Sequence, residues 1–374
     1  MEKRFEMIKG YVTPEGTAAY CRRVTHAVPQ HFRLFEECAV SSVGIGTYLG
    51  QEDSATDRLY RDAMVRAVEL GVNLIDTAVN YRHQRSERAV GETLAHLIGS
   101  GRLKREEIVV ATKGGYIPFD GAMPADVRAY FTETYLRPGI LSPEDVVAGC
   151  HAMTPGYLAD QLERSRRNLQ LETVDIYYLH NPETQLGEVE RPEFLRRLGE
   201  AFAFLESAVQ SEKIRWYGTA TWNGYRQPPS APDYLSLSEV IEVARAAAGD
   251  HHHFRVIQLP YNLAMTDAFT RANQLVDGHA VSVLEAARRL GIYVVGSASV
   301  YQGQLTRNLP PVIGEYLTEL RTDAQRALQF VRSTPGLGSA LVGMKQVSHV
   351  EENLEVAKLA PIPWSEFQHL FREA

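Results

Sequence analysis

The most constraining feature of this chain is an alternation. From about residue 41 almost to the end, short runs rich in β-branched and aromatic residues take turns with longer stretches of helical period. The runs are SVGIGT (42–47), VNLIDT (72–77), EIVVAT (107–112), VDIYYLH (174–180), IRWYGTA (214–220), RVIQLP (255–260), IYVVGS (292–297) and SALVG (339–343), eight in all. Between them lie amphipathic segments such as DRLYRDAMVRAVELG, YLADQLERSRRNLQL and AVSVLEAARRLG, several closed by a glycine where a helix would exit. Near-continuous apolar strands joined through helices mean a parallel sheet covered on its faces. Eight such units point to an α/β fold of the closed (β/α)8 TIM-barrel type, although an open doubly wound sheet has the same local signature.

Two stretches exceed the minimum barrel: an N-terminal extension over residues 1–40 and an insertion over residues 114–154, between the third strand and its helix. A loop that long carries function or small helices of its own. Because it follows a strand's C-terminal end, it is expected to overhang the active-site face. No repeat, low-complexity tract or linker marks a second domain, so the reading is one barrel domain over residues 1–374, ending in a tail over 361–374.

With 374 residues, 44% of them hydrophobic, a large core is available, and a net charge of -7 without any Lys/Arg-rich block speaks against nucleic acid. The N-terminus lacks a signal-peptide core and no segment approaches the roughly 18 apolar residues of a membrane helix, so a soluble cytoplasmic protein with no membrane partner is expected. Cys21, Cys38 and Cys150 form neither an even set nor a CxxC pair, which predicts free thiols. Adjacent histidines at 251–253 alternate direction in extended chain, so no metal site is expected there.

Barrel chemistry collects where strands finish. Asp76 ends the second strand, Lys113 follows the third, His180 ends the fourth, and Tyr81 lies in the loop after the second. Singly, each has an ordinary explanation: a helix cap, a surface lysine, a packed histidine, a loop aromatic. Jointly they form a proton-transfer site suited to carbonyl reduction. A phenol of pKa near ~10 needs its anion stabilised to act near neutrality, which a lysine held by an aspartate supplies. The histidine orients the carbonyl oxygen. No side chain is a hydride source, so a nicotinamide cofactor is implied.

From VSSVGIGTYLG through GVNLIDTAVNY, IVVATKGG, VDIYYLH, RWYGTA, VIQLPYNL and GSALVGMKQVSHVEENLEVAK, the chain resembles the aldo-keto reductases over nearly its whole length. The resemblance gives Asp76, Tyr81, Lys113 and His180 the four catalytic places, with Tyr81 as general acid. It implies NADP as cofactor, bound without a Rossmann fold. GIGTYLG, which misses the GxGxxG fingerprint by one place, matches the family's glycine-rich start and brings in Gly46 and Thr47, with a tight strand-to-loop turn as the competing reading. It also puts the nicotinamide carboxamide near Gln258, and the pyrophosphate and adenosine along the seventh and eighth strand-to-helix loops. There Gly343, Lys345, Glu352 and Asn353 fall at cofactor positions, Lys345 toward the extra phosphate of NADP. Ordinary helix-cap chemistry is the competing reading of VSHVEENL. Tyr48 and Asn181 are placed on the substrate wall.

The chain departs from the family's pattern in four places. Ala220 and Thr221 replace the usual Ser-Asn pair after the fifth strand, so that carboxamide contact is either weakened or remade by Thr221 or Asn223. Ser297 replaces an aromatic that stacks on nicotinamide in many relatives, so that either cofactor binding is looser or another aromatic such as Tyr301 substitutes. His349 stands where arginine is frequent, leaving NADP selectivity to Lys345 and leaving NAD use open. The loop after Tyr81 is longer than the family's by two residues, since Ser86 and Glu87 follow RHQR, and Arg82, His83 and Arg85 are either solvated or frame an anionic or hydroxylated substrate.

The expected activity is NAD(P)H-dependent interconversion of an aldehyde or ketone and an alcohol on a small molecule, such as a sugar-like compound. The alternative is a cofactor-binding sensor barrel with slow turnover. A hydrolase or lyase is disfavoured because GxSxG, HExxH and paired strand-end acids are missing. Specificity is expected in the insertion, the tail after Pro361 and the loop from Gly224 to Asp233; the sequence leaves oligomeric state open.

Overall fold

The computed structural model describes residues 7–371 and closes the eight expected runs into one parallel barrel. Its strands are β1 (Val43–Gly46), β2 (Leu74–Asp76), β3 (Val109–Gly114), β4 (Val174–His180), β5 (Ile214–Ala220), β6 (Phe254–Pro260), β7 (Tyr293–Ser297) and β8 (Ser339–Gly343). The pairing of β8 with β1, Leu341 opposite Gly44 and Gly343 opposite Gly46, closes the ring and excludes the open doubly wound sheet. Each strand is followed by a helix: α1 (Ser54–Glu69), α2 (Arg85–Gly99), α3 (Pro155–Leu169), α4 (Arg191–Gln210), α5 (Leu237–Ala248), α6 (Val283–Arg289), α7 (Asp323–Ser333) and α8 (Val347–Asn353). Local chemistry sets their starts; α1 begins where the Asp53 carboxylate accepts from Thr56 N at 2.7 Å.

Strand parity decides which residues reach the site. Leu74, Val109, Ala111, Ile176, Tyr178, Trp216, Val256, Val295 and Leu341 pack together inside the barrel, while Ile75, Val110, Tyr177, Leu179, Ile257 and Val294 join the core beneath the helices. Two residues further along the inward rows, at the C-terminal mouth, stand Asp76, Lys113, His180, Gln258, Ser297 and Gly343, and on β5 Ala220 stands four beyond Trp216. On β1 the inward positions are glycines. A Cβ on Gly44 would lie 2.7 Å from Leu341 and 3.0 Å from Leu74, so the filled interior has no room for one.

The leading residues floor the opposite end. Behind a helix at Pro14–Arg23, the antiparallel hairpin of Phe32–Phe35 and Cys38–Ser41 presses Phe35 edge-on against Trp216 (4.8 Å) and tilted against Tyr293 (5.0 Å). The insertion holds a helix at Val127–Phe131 that runs into a π turn at Thr132–Leu136, and packs Tyr135, Leu141 and Ala152 with Tyr157 of α3 into a small separate core. It is moored to α2 by Arg88–Asp120 (2.6 Å) and to α3 by Arg164 over the Tyr135 ring. In the tail, Trp364, Phe367 and Phe371 pack against Phe269 and Phe330.

The three cysteines are free. His253 of the histidine run pairs with Glu206 (Nδ1 to Oε2, 2.8 Å), and among the described residues no group of His, Cys, Asp and Glu is placed to hold a metal. Among those residues, no helix is long and apolar enough to cross a membrane.

Candidate active site

Asp76 and Lys113 come from adjacent strands, and the stagger between them lets the lysine reach back: Lys113 Nζ donates to Asp76 Oδ1 at 2.5 Å and to Thr77 O at 2.9 Å. Both side chains are buried. Burial pushes the Lys113 pKa down and the Asp76 pKa up, each opposed by the charge of the other. The remaining carboxylate oxygen, Oδ2, accepts from Gln258 Nε2 at 2.8 Å.

Tyr81 and His180 sit above this pair, with ring centroids 5.8 Å apart and edge to face. Lys113 Nζ lies 4.9 Å from the Tyr81 ring centroid, so the ammonium faces the ring while its recorded hydrogen bonds go to Asp76 and Thr77. Burial first and Asp76 second raise the phenol's pKa well above its ordinary value. The phenol is held protonated, the state an acid needs. Burial, then the Lys113 charge, pushes His180 well below the usual imidazole range. Its Nδ1 is buried without a partner, leaving Nε2 as the nitrogen that can meet the cavity.

Above the four residues opens a cavity of about 810 Å³. Gly46, Thr47, Thr221, Gln258, Ser297, Gly343, His349, Glu352 and Asn353 line it, as do Tyr48 and Asn181. One end holds Tyr81, His180 and Tyr116; the other reaches Gly343 at the end of β8 and His349, Glu352 and Asn353 of α8. The profile of the Aldo/keto reductase family matches residues 42–371. The chain belongs to the aldo/keto reductase family.

Aldo/keto reductase relatives are distant in sequence. An uncharacterized oxidoreductase, YqkF, of Bacillus subtilis (strain 168) is 20% identical over 335 residues, spanning 88% of this chain and 92% of that protein. The NADH-specific methylglyoxal reductase of Escherichia coli (strain K12) is 27% identical over 189 residues, 49% of this chain and 49% of that protein. Among solved structures, an aldo/keto reductase from Klebsiella pneumoniae in complex with NADP and acetate shares the fold at TM-score 0.61 and 20% identity, over 92% of this chain and 95% of that one. The glycerol dehydrogenase from Gluconobacter oxydans does so at TM-score 0.64 and 18% identity, with coverages of 92% and 95%.

Several side chains of this aldo/keto reductase stand elsewhere than the sequence suggested. Lys345 is half-buried outside the lining; a Cβ on Gly50 would lie 3.7 Å from its Nζ, which places it beside the loop after β1. Tyr301 does not line the cavity, although its neighbours Val300 and Gln302 do. Arg82 and Arg85 turn away toward α1, where Asp57 receives Arg82 Nη2 at 2.6 Å and Arg85 Nη2 at 2.5 Å. They therefore do not frame a substrate. The extra loop length is taken up by three successive left-handed residues, Arg82, His83 and Gln84 (φ 49°, 54° and 71°). Of the insertion only Tyr116 lines the cavity, and none of the described tail residues does. Asn223 and Asp233 line a second depression of about 500 Å³ on the far side of Tyr116, Asn181 and Trp222.

Residues without a sequence signal complete the wall. Tyr116 packs edge-on against His180 (5.0 Å) and its hydroxyl accepts from Asn181 Nδ2 (3.0 Å). Trp222, 42% exposed, lines both the cavity and the second depression. The turn bearing it is fixed by Glu183, whose Oε1 accepts from the backbone N–H groups of Trp222, Asn223 and Gly224 (2.7, 3.1 and 3.3 Å). An acid following the left-handed Asn181 in HNPE was the one available hint, and it does not reveal its partners in sequence.

Proposed function

We propose that the chain is an NADP(H)-dependent oxidoreductase interconverting a carbonyl and an alcohol on a small, uncharged molecule. The observation that carries this reading is the convergence of a protonated phenol and a neutral imidazole at the cavity, 5.8 Å apart, over a buried lysine–aspartate pair. A sensor would need none of that apparatus.

The residues present fit a nicotinamide dinucleotide. The cavity is long enough to join Tyr81 and His180 at one end to His349, Glu352 and Asn353 at the other, and Asn80, a lining residue, has its Oδ1 buried without a partner. Thr221, Gln258 and Ser297 would hold the nicotinamide end; Gly343, His349, Glu352 and Asn353 the adenosine end, with Lys345 beside them. The NADP complex of the Klebsiella pneumoniae protein supports the choice of cofactor. When bound, the cofactor supplies the hydride.

The chain's own residues do the rest. His180 Nε2–H orients the carbonyl oxygen, and its depressed pKa keeps it a neutral donor. Tyr81 gives its proton to that oxygen as it becomes an alkoxide, a far stronger base than a phenolate, so the transfer runs downhill even from a phenol whose pKa is raised. Lys113, 4.9 Å from the ring, stabilises the phenolate left behind, and Asp76 holds the lysine there.

The substrate end is lined by Tyr48, Tyr116, Asn181 and Trp222, and among the described residues no lysine or arginine lines either depression. That favours a neutral carbonyl compound with hydroxyl groups over an anion. The test is titration with NADPH and separately NADH, following quenching of protein fluorescence, for which Trp222 is placed as a reporter. Micromolar binding followed by consumption of NADPH with small aldehydes is expected; binding of neither cofactor overturns the reading.

A further inference from the structure

The insertion contributes one more group to this site, from behind. His151, at the end of the insertion, is 1% exposed, and its Nε2 lies 2.8 Å from the carbonyl oxygen of His180. That carbonyl needs a donor. β3 ends at Gly114, opposite Leu179, so the parallel ladder stops one residue short of His180 on that side. The backbone at Gly115 is routed to leave room for the contact: a Cβ there would come within 2.9 Å of both His151 Nε2 and His180 O, and its φ of +145° suits glycine.

The direction of the hydrogen bond is dictated from α4. Arg197 can only donate, and its Nη1 donates to Gln185 Oε1 at 2.7 Å. This turns the Gln185 amide so that Nε2 faces His151 Nδ1, at 2.9 Å, and donates to it. Nδ1 is thereby an acceptor, the imidazole proton resides on Nε2, and Nε2–H donates to His180 O. Tyr116 is wedged edge-on between the two imidazoles, 5.3 Å from His151 and 5.0 Å from His180. The pairing of Tyr116 with His151 and the bond from Ala152 N to Gly115 O (3.0 Å) tie both ends of the insertion to the same point.

We infer that His151 is a positioning residue: polarised through Arg197 and Gln185, it holds the His180 backbone and the Tyr116 ring so that His180 presents Nε2 to the substrate carbonyl. The insertion, which meets the cavity only through Tyr116, acts on the chemistry through this contact. Burial holds His151 neutral, with a pKa down at about 4, so the single-proton state the relay requires persists through the neutral range. The kinetic part of the test rests on the reductase reading; the spectroscopic part does not.

His151→Phe keeps a ring against Tyr116 and removes both hydrogen bonds, whereas His151→Gln keeps one donor and one acceptor. Nitrogen NMR of imidazole-labelled full-length protein reads the His180 tautomer directly, while steady-state reduction of 4-nitrobenzaldehyde by NADPH reads its effect. The expected result is a displaced His180 signal and a kcat lower by about tenfold or more in His151→Phe, with NADPH affinity unchanged, and both restored in His151→Gln. Should His151→Phe not fold, Arg197→Met, on the partly exposed face of α4, is expected to shift the His151 signals away from a single Nε2–H tautomer. Unaltered His180 signals in His151→Phe, or unaltered His151 signals in Arg197→Met, overturn the assignment. Absence of aldehyde reduction by the wild-type protein refutes the reductase reading, and the imidazole signals still decide this one.

Discussion

Gln258 donates its amide to the oxygen of Asp76 that Lys113 leaves open, 2.8 Å away, so both oxygens of the buried carboxylate are occupied. Asp76 has no lone oxygen aimed at a substrate; its work is to hold the lysine. Asp76→Asn strips a buried ammonium of its counter-charge, and a loss of about 3 to 5 kcal/mol in unfolding free energy is expected by urea titration. Replacing both partners, as Asp76→Leu with Lys113→Met, should recover much of that stability without recovering turnover. A single variant as stable as the wild type would show that the pair is not ionised.

Tyr81→Phe preserves the ring over Lys113 and the packing against Tyr48 and His180, and removes only the proton donor. NADPH-dependent reduction should fall by about two to four orders of magnitude while the dissociation constant for NADPH stays within about twofold. Retained turnover would remove Tyr81 from the role of acid.

Much of this arrangement is readable from strand parity alone. Once VNLIDT, EIVVATK and VDIYYLH are taken as barrel strands, Leu74 and Asp76, Ala111 and Lys113, Tyr178 and His180 fall on the same inward rows, and the polar members come last. Loop contacts obey no such period. Nothing in RHQRSE announces that Arg82 and Arg85 will both close on Asp57, because that partner sits on the helix of the preceding unit. For the same reason nothing singles out Tyr116 within the stretch over 114–154, although it is the one part of the insertion to reach the cavity. Its place depends on a bridge from Tyr116 itself to His151, across 34 intervening positions.

Lys345 decides cofactor choice only if its side chain swings from beside Gly50 toward the adenosine end. Lys345→Ala should then weaken NADPH binding by about tenfold to a hundredfold, the worth of a charged hydrogen bond, and leave NADH binding unaltered. Fluorescence titration of the variant with each nucleotide makes the comparison. Equal losses for both would assign Lys345 to the surface.

Acid should weaken the fold through histidines that are buried neutral. Burial, with the Arg332 charge second, takes His31 down to about 3, and burial takes His151 down to about 4. His31 lies between Gly71 O (Nε2, 3.0 Å) and Ser42 Oγ (Nδ1, 3.2 Å), and Arg332 Nε donates to the same Ser42 Oγ at 3.0 Å, so a second ring proton would face a guanidinium. In the unfolded chain both imidazoles titrate near ~6.5, so below that pH the unfolded state binds protons that the folded state refuses. Their contribution is complete above about pH 6.5 and declines as pH falls toward 4, by up to about 1.4 kcal/mol per pH unit for each histidine. Glu87 and Glu183, raised by burial, act in the opposite sense, so the informative quantity is a difference between variants. Urea midpoints of the wild type and His151→Gln, measured from pH 7 to pH 5, should converge on acidification. Parallel lines would mean that His151 titrates alike in the folded and unfolded chain, and diverging lines that it is protonated in the native state, with Nδ1 donating rather than accepting.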